Sequence, residues 1–256
     1  MFVKEAGKRT GPLLVFLHGG GVSGWMWNQQ LEYFNHYHIL IPDLPGHGQS
    51  REENVFSIRD TAEELIKWIK PENSDKKVVV VGFSLGAQIV VEMLHQEPDL
   101  VDYAMVNSAL VRPNPILHSL ISPMIKSTSF LIKNRTFARL QSKELYINEG
   151  NFETYFQESK KMRTETLIQV LQENMTYTLP GNFSQAKAEI LVTVGEKEKG
   201  IMRKSAEDLV QAHPASNGII FPQVGHGIPL ANPDLFNRTL DAWVNKQPLP
   251  EELRLL

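Results

Sequence analysis

Leu13-Leu14-Val15-Phe16-Leu17, Ile39-Leu40-Ile41 and Val78-Val79-Val80-Val81 are short apolar runs without polar alternation. Such runs read as strands buried on both faces. Residues 101 to 107, Ile190 to Val194 and Asn217 to Phe221 read as further strands. Between them the period changes. Ala62, Leu65, Ile66 and Ile69 form one helical face. The helix entry Ser57-Ile58-Arg59-Asp60 is a capping box with Asp in place of Glu. Pro71 to Asp75 reads as the loop after it, and Ala87 to His95 as the next helix. Asn232 and Pro233 suit the N-cap and first position of a last helix, whose Phe236, Leu240, Trp243 and Val244 face the core. Strands alternating with helices predict an α/β fold, a mostly parallel sheet flanked by helices on both faces.

The interval from about 112 to 185 breaks that alternation. It holds no convincing β-branched run, and stretches such as Thr164 to Asn174 suit helix. Pro113, Pro115 and Pro123 punctuate its start and Pro180-Gly181 its end. Lys126, Lys133, Arg135, Arg139 and Lys143 form a basic stretch, read as a solvated helix face in preference to an anion-attracting entrance.

The Val78 run ends in Gly82-Phe83-Ser84-Leu85-Gly86. Gly-x-Ser-x-Gly between a buried strand and a helix is the context of a nucleophile elbow. Glycines two before and two after remove Cβ atoms that a sharp turn would bring into collision. The Leu13 run ends in His18-Gly19-Gly20-Gly21, and the Ile39 run in Pro42-Asp43-Leu44-Pro45-Gly46-His47-Gly48-Gln49-Ser50. Val224-Gly225-His226-Gly227 lies near the C-terminus.

With these landmarks the sequence resembles the α/β-hydrolase family, in particular its serine esterases with a helical cap, over residues 13 to 227. The resemblance implies a core of residues 1–111 and 186–256, with a helical cap of residues 112–185 inserted after the sixth strand. About ten residues precede the Leu13 strand, so at most one strand of the family's N-terminal hairpin fits.

Composition narrows the class. A length of 256 residues, 42% hydrophobic, gives a sizeable core, and a net charge of −3 gives no reason to expect nucleic acid. No apolar run approaches the ~20 residues that span a bilayer, and no membrane association is expected. The absence of cysteine excludes disulfides, thiol nucleophiles and thiolate metal sites. Residues 1–8 lack the apolar stretch of a secretory signal, so a cytoplasmic location is expected. The expected partner is a small acyl substrate. Nothing calls for a metal or organic cofactor, and nothing fixes the oligomeric state.

Ser84 is the expected nucleophile. A serine hydroxyl needs a base within hydrogen-bond reach. His226 follows the last strand and fits the order Ser, acid, His of this fold. His18 and His47 precede the elbow and fit it badly; the resemblance gives His18 a structural, buried role. The acid is expected at the turn Gly195-Glu196-Lys197-Glu198. The resemblance favours Glu198, with Glu196 as the alternative. Oxyanion donors are expected from the amides of Leu85 and, by resemblance, Gly20, with Gly21 a weaker candidate.

Trp25 and Trp27 are expected near the pocket, with one pocket wall and one core anchor as the alternative to both lining it. Phe137 and Phe156 are candidate substrate-binding residues of the cap, although many cap aromatics are expected simply to pack. The leading function is cleavage of a small carboxylic ester, or a related acyl substrate, through a Ser-His-Glu triad and an acyl-enzyme. Carbon–carbon bond hydrolysis, a synthase-like elimination and a non-catalytic ligand receptor are the alternatives. The elimination is weakened by Gln88, which stands where that family tends to carry Arg.

Overall fold

The computed structural model describes residues 1–52, 56–72 and 76–256. Its strands are β1 (Val3–Gly7), β2 (Leu13–Leu17), β3 (His38–Pro42), β4 (Val78–Phe83), β5 (Tyr103–Asn107), β6 (Glu189–Gly195), β7 (Ser216–Phe221) and β8 (Arg254–Leu255). Its helices are α1 (Asn28–Tyr33), α2 (Ile58–Glu72), α3 (Leu85–Gln96), α4 (Pro115–Ile132), α5 (Arg135–Glu144), α6 (Glu149–Lys161), α7 (Thr164–Thr176), α8 (Gly200–Ala212), α9 (Ile228–Ala231) and α10 (Pro233–Val244).

The strands form one sheet in the order β1-β3-β2-β4-β5-β6-β7-β8. Edge strands β1 and β8 are antiparallel to their neighbours and the rest are parallel. The apolar runs explain this arrangement. Along β2 and β4, Leu13, Val15, Leu17, Val78 and Val80 enter one core cluster. Leu14, Phe16, Val79, Val81 and Phe83 enter another. The two-residue pleat sends alternate side chains to opposite faces, so both faces must be covered.

Register places the functional loops. Leu17 pairs with Gly82, Phe83 with Asn107, and Asn107 with Thr193. The parallel strands therefore end together, and the segments after β2, β4, β5, β6 and β7 emerge along one sheet edge. In open parallel sheets that edge is where ligands bind.

Several local expectations meet the structure with adjustments. Ser57 Oγ accepts from the Asp60 amide at the start of α2. That helix continues through Pro71 to Glu72, giving up the one hydrogen bond proline cannot donate. Residues 73–75 of the expected loop lie outside the described residues. Asn232 Oδ1 caps α10 through the Leu235 amide at 3.1 Å. A single antiparallel strand, β1, precedes β2. The helical interval α4–α7 therefore follows the fifth strand of this chain, and not a sixth. Strand β8 has two residues, too few for a period to reveal. Among the described residues no helix is long and apolar enough to cross a membrane.

Candidate active site

Ser84 sits between β4 and α3 with φ 54° and ψ −111°, in the region disfavoured for residues carrying a β-carbon. Its amide donates to the Asn107 carbonyl at 2.9 Å, which ties the turn to β5. The flanking glycines are needed for close approach. A Cβ at Gly82 would collide with the Gly86 carbonyl, and one at Gly86 with the Leu17 carbonyl. The turn is thus pressed onto itself and onto β2, leaving the Ser84 side chain at the edge of the sheet.

His226 lies in the loop after β7, preceded by Gly225 and followed by Gly227, whose φ is +117°. Its Nε2 is 2.9 Å from Ser84 Oγ, and its Nδ1 is 2.8 Å from Glu198 Oε2. A carboxylate only accepts, so Nδ1 carries the proton and Nε2 is free to accept from the serine. Glu198 also accepts from the Ser108 hydroxyl at 2.6 Å and the Gly195 amide at 2.9 Å. Burial pushes the Glu198 carboxyl up, but the hydrogen bonds from His226, Gly195 and Ser108 prevail and hold its pKa below the ordinary value. Its side chain is 1% exposed against 35% for His226. The acid is therefore sheltered while the imidazole meets the cavity.

Glu196, two residues earlier, turns away. It accepts from the Gln223 amide at 2.8 Å and from Arg254 at 2.5 Å, at the surface.

A cavity of about 470 Å³ opens at Ser84 between the sheet edge and the helices α4–α7. Gly20, Gly21 and Leu85 line it beside Ser84. Leu85 opens α3, so its amide has no acceptor within the helix. The Gly20 amide donates to no group among the described residues. A Cβ at Gly20 would lie 3.3 Å from Val170 Cγ1, so the glycine lets α7 approach this loop.

The expected pocket residues divide. Phe137 lines the cavity, together with Ile125, Ile132, Met162 and Leu171. Trp27 does not: it is fully buried and stacks on Phe16 at 4.8 Å, which makes it a core anchor. Trp25 is outside the cavity lining as well. Its Nε1 donates to Glu158 Oε2 at 2.8 Å, a stronger demand on the indole than an apolar wall would make. Phe156 is buried against Phe152 with rings 6.2 Å apart and nearly parallel, so it packs instead of lining the cavity.

His18 and His47 are both buried, with rings 5.1 Å apart. His18 accepts from the Leu44 amide at 2.9 Å and lies 2.8 Å from the Gly19 carbonyl through Nδ1. Burial lowers its pKa to about 4. Burial and the neighbouring His18 lower that of His47 to about 3. Neither approaches Ser84 by hydrogen bond, and both brace the loops after β2 and β3.

Four supporting interactions escaped the sequence reading. Ser108 supports Glu198, as described above. The Tyr146 hydroxyl accepts from the Gly225 amide at 2.8 Å, steadying the loop of His226. Glu158 gathers Ser23 and Trp25 beneath the Gly20 loop. Gln88 spends its amide on Leu110 and Asn174, joining α3 to α7. Each pairing crosses many residues of sequence, and no local pattern announces it.

The fold and this geometry define an α/β hydrolase. Residues 14–239 match the alpha/beta hydrolase family, to which the chain belongs, and the protein is a hydrolase. It is similar to a pimeloyl-[acyl-carrier protein] methyl ester esterase of Vibrio vulnificus, 27% identical over 248 residues, 92% of this chain and 95% of that protein. It is also similar to an (E)-2-((N-methylformamido)methylene)succinate hydrolase of Acinetobacter baylyi, 26% identical over 256 residues, covering 93% and 92% of the two chains. Among solved structures, a thermophilic esterase from Thermogutta terrifontis superposes with a TM-score of 0.77, at 17% identity, over 96% of this chain and 93% of that one.

Proposed function

We propose that the protein cleaves a small carboxylic ester through Ser84, His226 and Glu198, with residues 112–185 acting as a helical cap over a core of residues 1–111 and 186–256. The observation that carries this reading is the continuous hydrogen-bonded line from Ser84 through His226 to Glu198.

In the first step His226 Nε2 takes the Ser84 proton as Oγ attacks the ester carbonyl. Glu198 holds the imidazole in the tautomer that can accept and stabilises the imidazolium that forms. The amides of Gly20 and Leu85 face the negative charge on the former carbonyl oxygen, each typically worth ~3 kcal/mol. His226 then returns the proton to the leaving oxygen as the carbon–oxygen bond breaks, leaving an acyl-serine. Water, deprotonated by the same imidazole, releases the acid and restores the serine.

The similarity to a methyl ester esterase supports an ester as the scissile group. The apolar lining around Phe137 supports an apolar acyl chain, in a volume typical of small-molecule sites. An elimination of the synthase type wants a cation at position 88, and the Gln88 amide is already committed to backbone carbonyls and Asn174.

A fluorophosphonate probe and a series of p-nitrophenyl esters test the proposal. Wild type should label at Ser84 and hydrolyse the esters. Folded Ser84→Ala should do neither; ester turnover retained by it would overturn the assignment.

A further inference from the structure

A second cavity, about 860 Å³, meets the first at Ser84. Glu198, Gly225 and His226 bound it, and Ser84, Glu144, Leu145 and Asn174 are common to the two cavities. The reacting groups are divided between them. Gly20 and Leu85 line only the first cavity and His226 only the second. A tetrahedral centre on Ser84 has its oxyanion toward the first pair and its leaving oxygen within reach of His226. The acyl chain then occupies the apolar cavity, and the leaving group points into the other.

That other cavity adds three lysines to a lining that includes Leu110, Leu117 and Met175. Lys143 at the end of α5, and Lys197 and Lys199 on either side of Glu198, line it. All are exposed, and none has an ion-pair partner among the described residues. Lys199 is also the N-cap of α8 and offers no side-chain acceptor to the first turn, whose Ile201 and Met202 line the same cavity. The partial positive charge of a helix start adds to that of the lysines. Glu144 and Glu198 oppose them from the same lining, so three cations face two carboxylates there.

Resting on the ester-cleavage reading above, we infer that the second cavity is the leaving-group site and selects esters whose alcohol portion is anionic, with Lys143, Lys197 and Lys199 as specificity residues. Lysine is a compact, mobile point charge and lacks the planar fork of arginine. The preference is therefore for charge and not for one anion geometry.

The test uses two esters with one acyl chain, 3-carboxyphenyl hexanoate and its neutral isostere 3-carbamoylphenyl hexanoate. Wild type should favour the anionic ester in kcat/KM by about tenfold at low salt, the preference shrinking as salt screens it. In Lys143→Gln/Lys197→Gln/Lys199→Gln the ratio should fall to about one. The single variants give the same reading in smaller steps if the triple variant does not fold. Calorimetric binding of both intact esters to Ser84→Ala supplies a ratio that needs no turnover. If wild type cleaves neither ester, the ester-cleavage reading fails while the binding ratio still decides the charge preference. Equal binding by Ser84→Ala, or a kcat/KM preference that survives loss of the lysines, overturns the inference.

Discussion

Ser108 Oγ donates to Glu198 Oε1 over 2.6 Å, from the end of β5 to the turn after β6. Ser108 has φ +56°, a conformation that aims its hydroxyl across the sheet edge at some backbone cost. The bond favours the charged form of Glu198 and fixes its second oxygen while the first receives His226. Ser108→Ala should lower kcat by about tenfold, in line with a hydrogen bond to a charged group. The acidic limb of the activity profile should move to higher pH, because the carboxyl loses a donor. An unchanged pH profile would reduce Ser108 to packing.

The acid itself is tested by two neighbouring substitutions. Glu198→Gln keeps the shape and removes the charge that holds the imidazole tautomer, so kcat should fall about a thousandfold or more. Glu196→Gln disturbs only the surface contacts with Gln223 and Arg254 and should cost far less. Rates are to be compared at equal folded concentration. The reverse ranking would move the acid by two residues.

Phe137 and Phe156 should respond differently. Phe137→Ala enlarges the acyl cavity and should shift chain-length preference toward longer esters, with little change toward an acetate ester. Phe156→Ala removes a buried ring and should instead lower stability by about 3 kcal/mol or more, read from denaturant midpoints. Equal substrate profiles for wild type and Phe137→Ala would take that ring out of the acyl site.

Buried His18 and His47 make stability depend on pH. Their folded pKa values, about 4 and about 3, lie below the ordinary histidine value of 6.5. The folded protein therefore binds fewer protons than the unfolded chain in the interval between. Stability is full above pH 6.5 and declines as pH falls toward 4 and below. His18 alone accounts for about 3 kcal/mol of that decline. Urea unfolding between pH 8 and pH 4 measures it, and a flat profile would mean that the histidines gain water or partners on acidification.

The strands, the elbow and the order of Ser84 and His226 could be read from the chain because their causes are local. A β-branched run buries itself whatever its neighbours are, and Gly-x-Ser-x-Gly answers to collisions within a few residues of backbone. The turn holding Glu196 and Glu198 was also visible, although which carboxylate meets His226 depends on how β6 and β7 stand side by side. Tertiary structure alone decided that Trp27 is core while Trp25 binds Glu158, since both indoles lie in one short segment with similar local pattern. It likewise decided the support from Ser108 and Tyr146 and the division of space at Ser84 into an apolar and a lysine-lined cavity. Those partners are brought together across 90 and 79 residues of chain. Long-range packing selects them, and no periodicity within either segment encodes the choice.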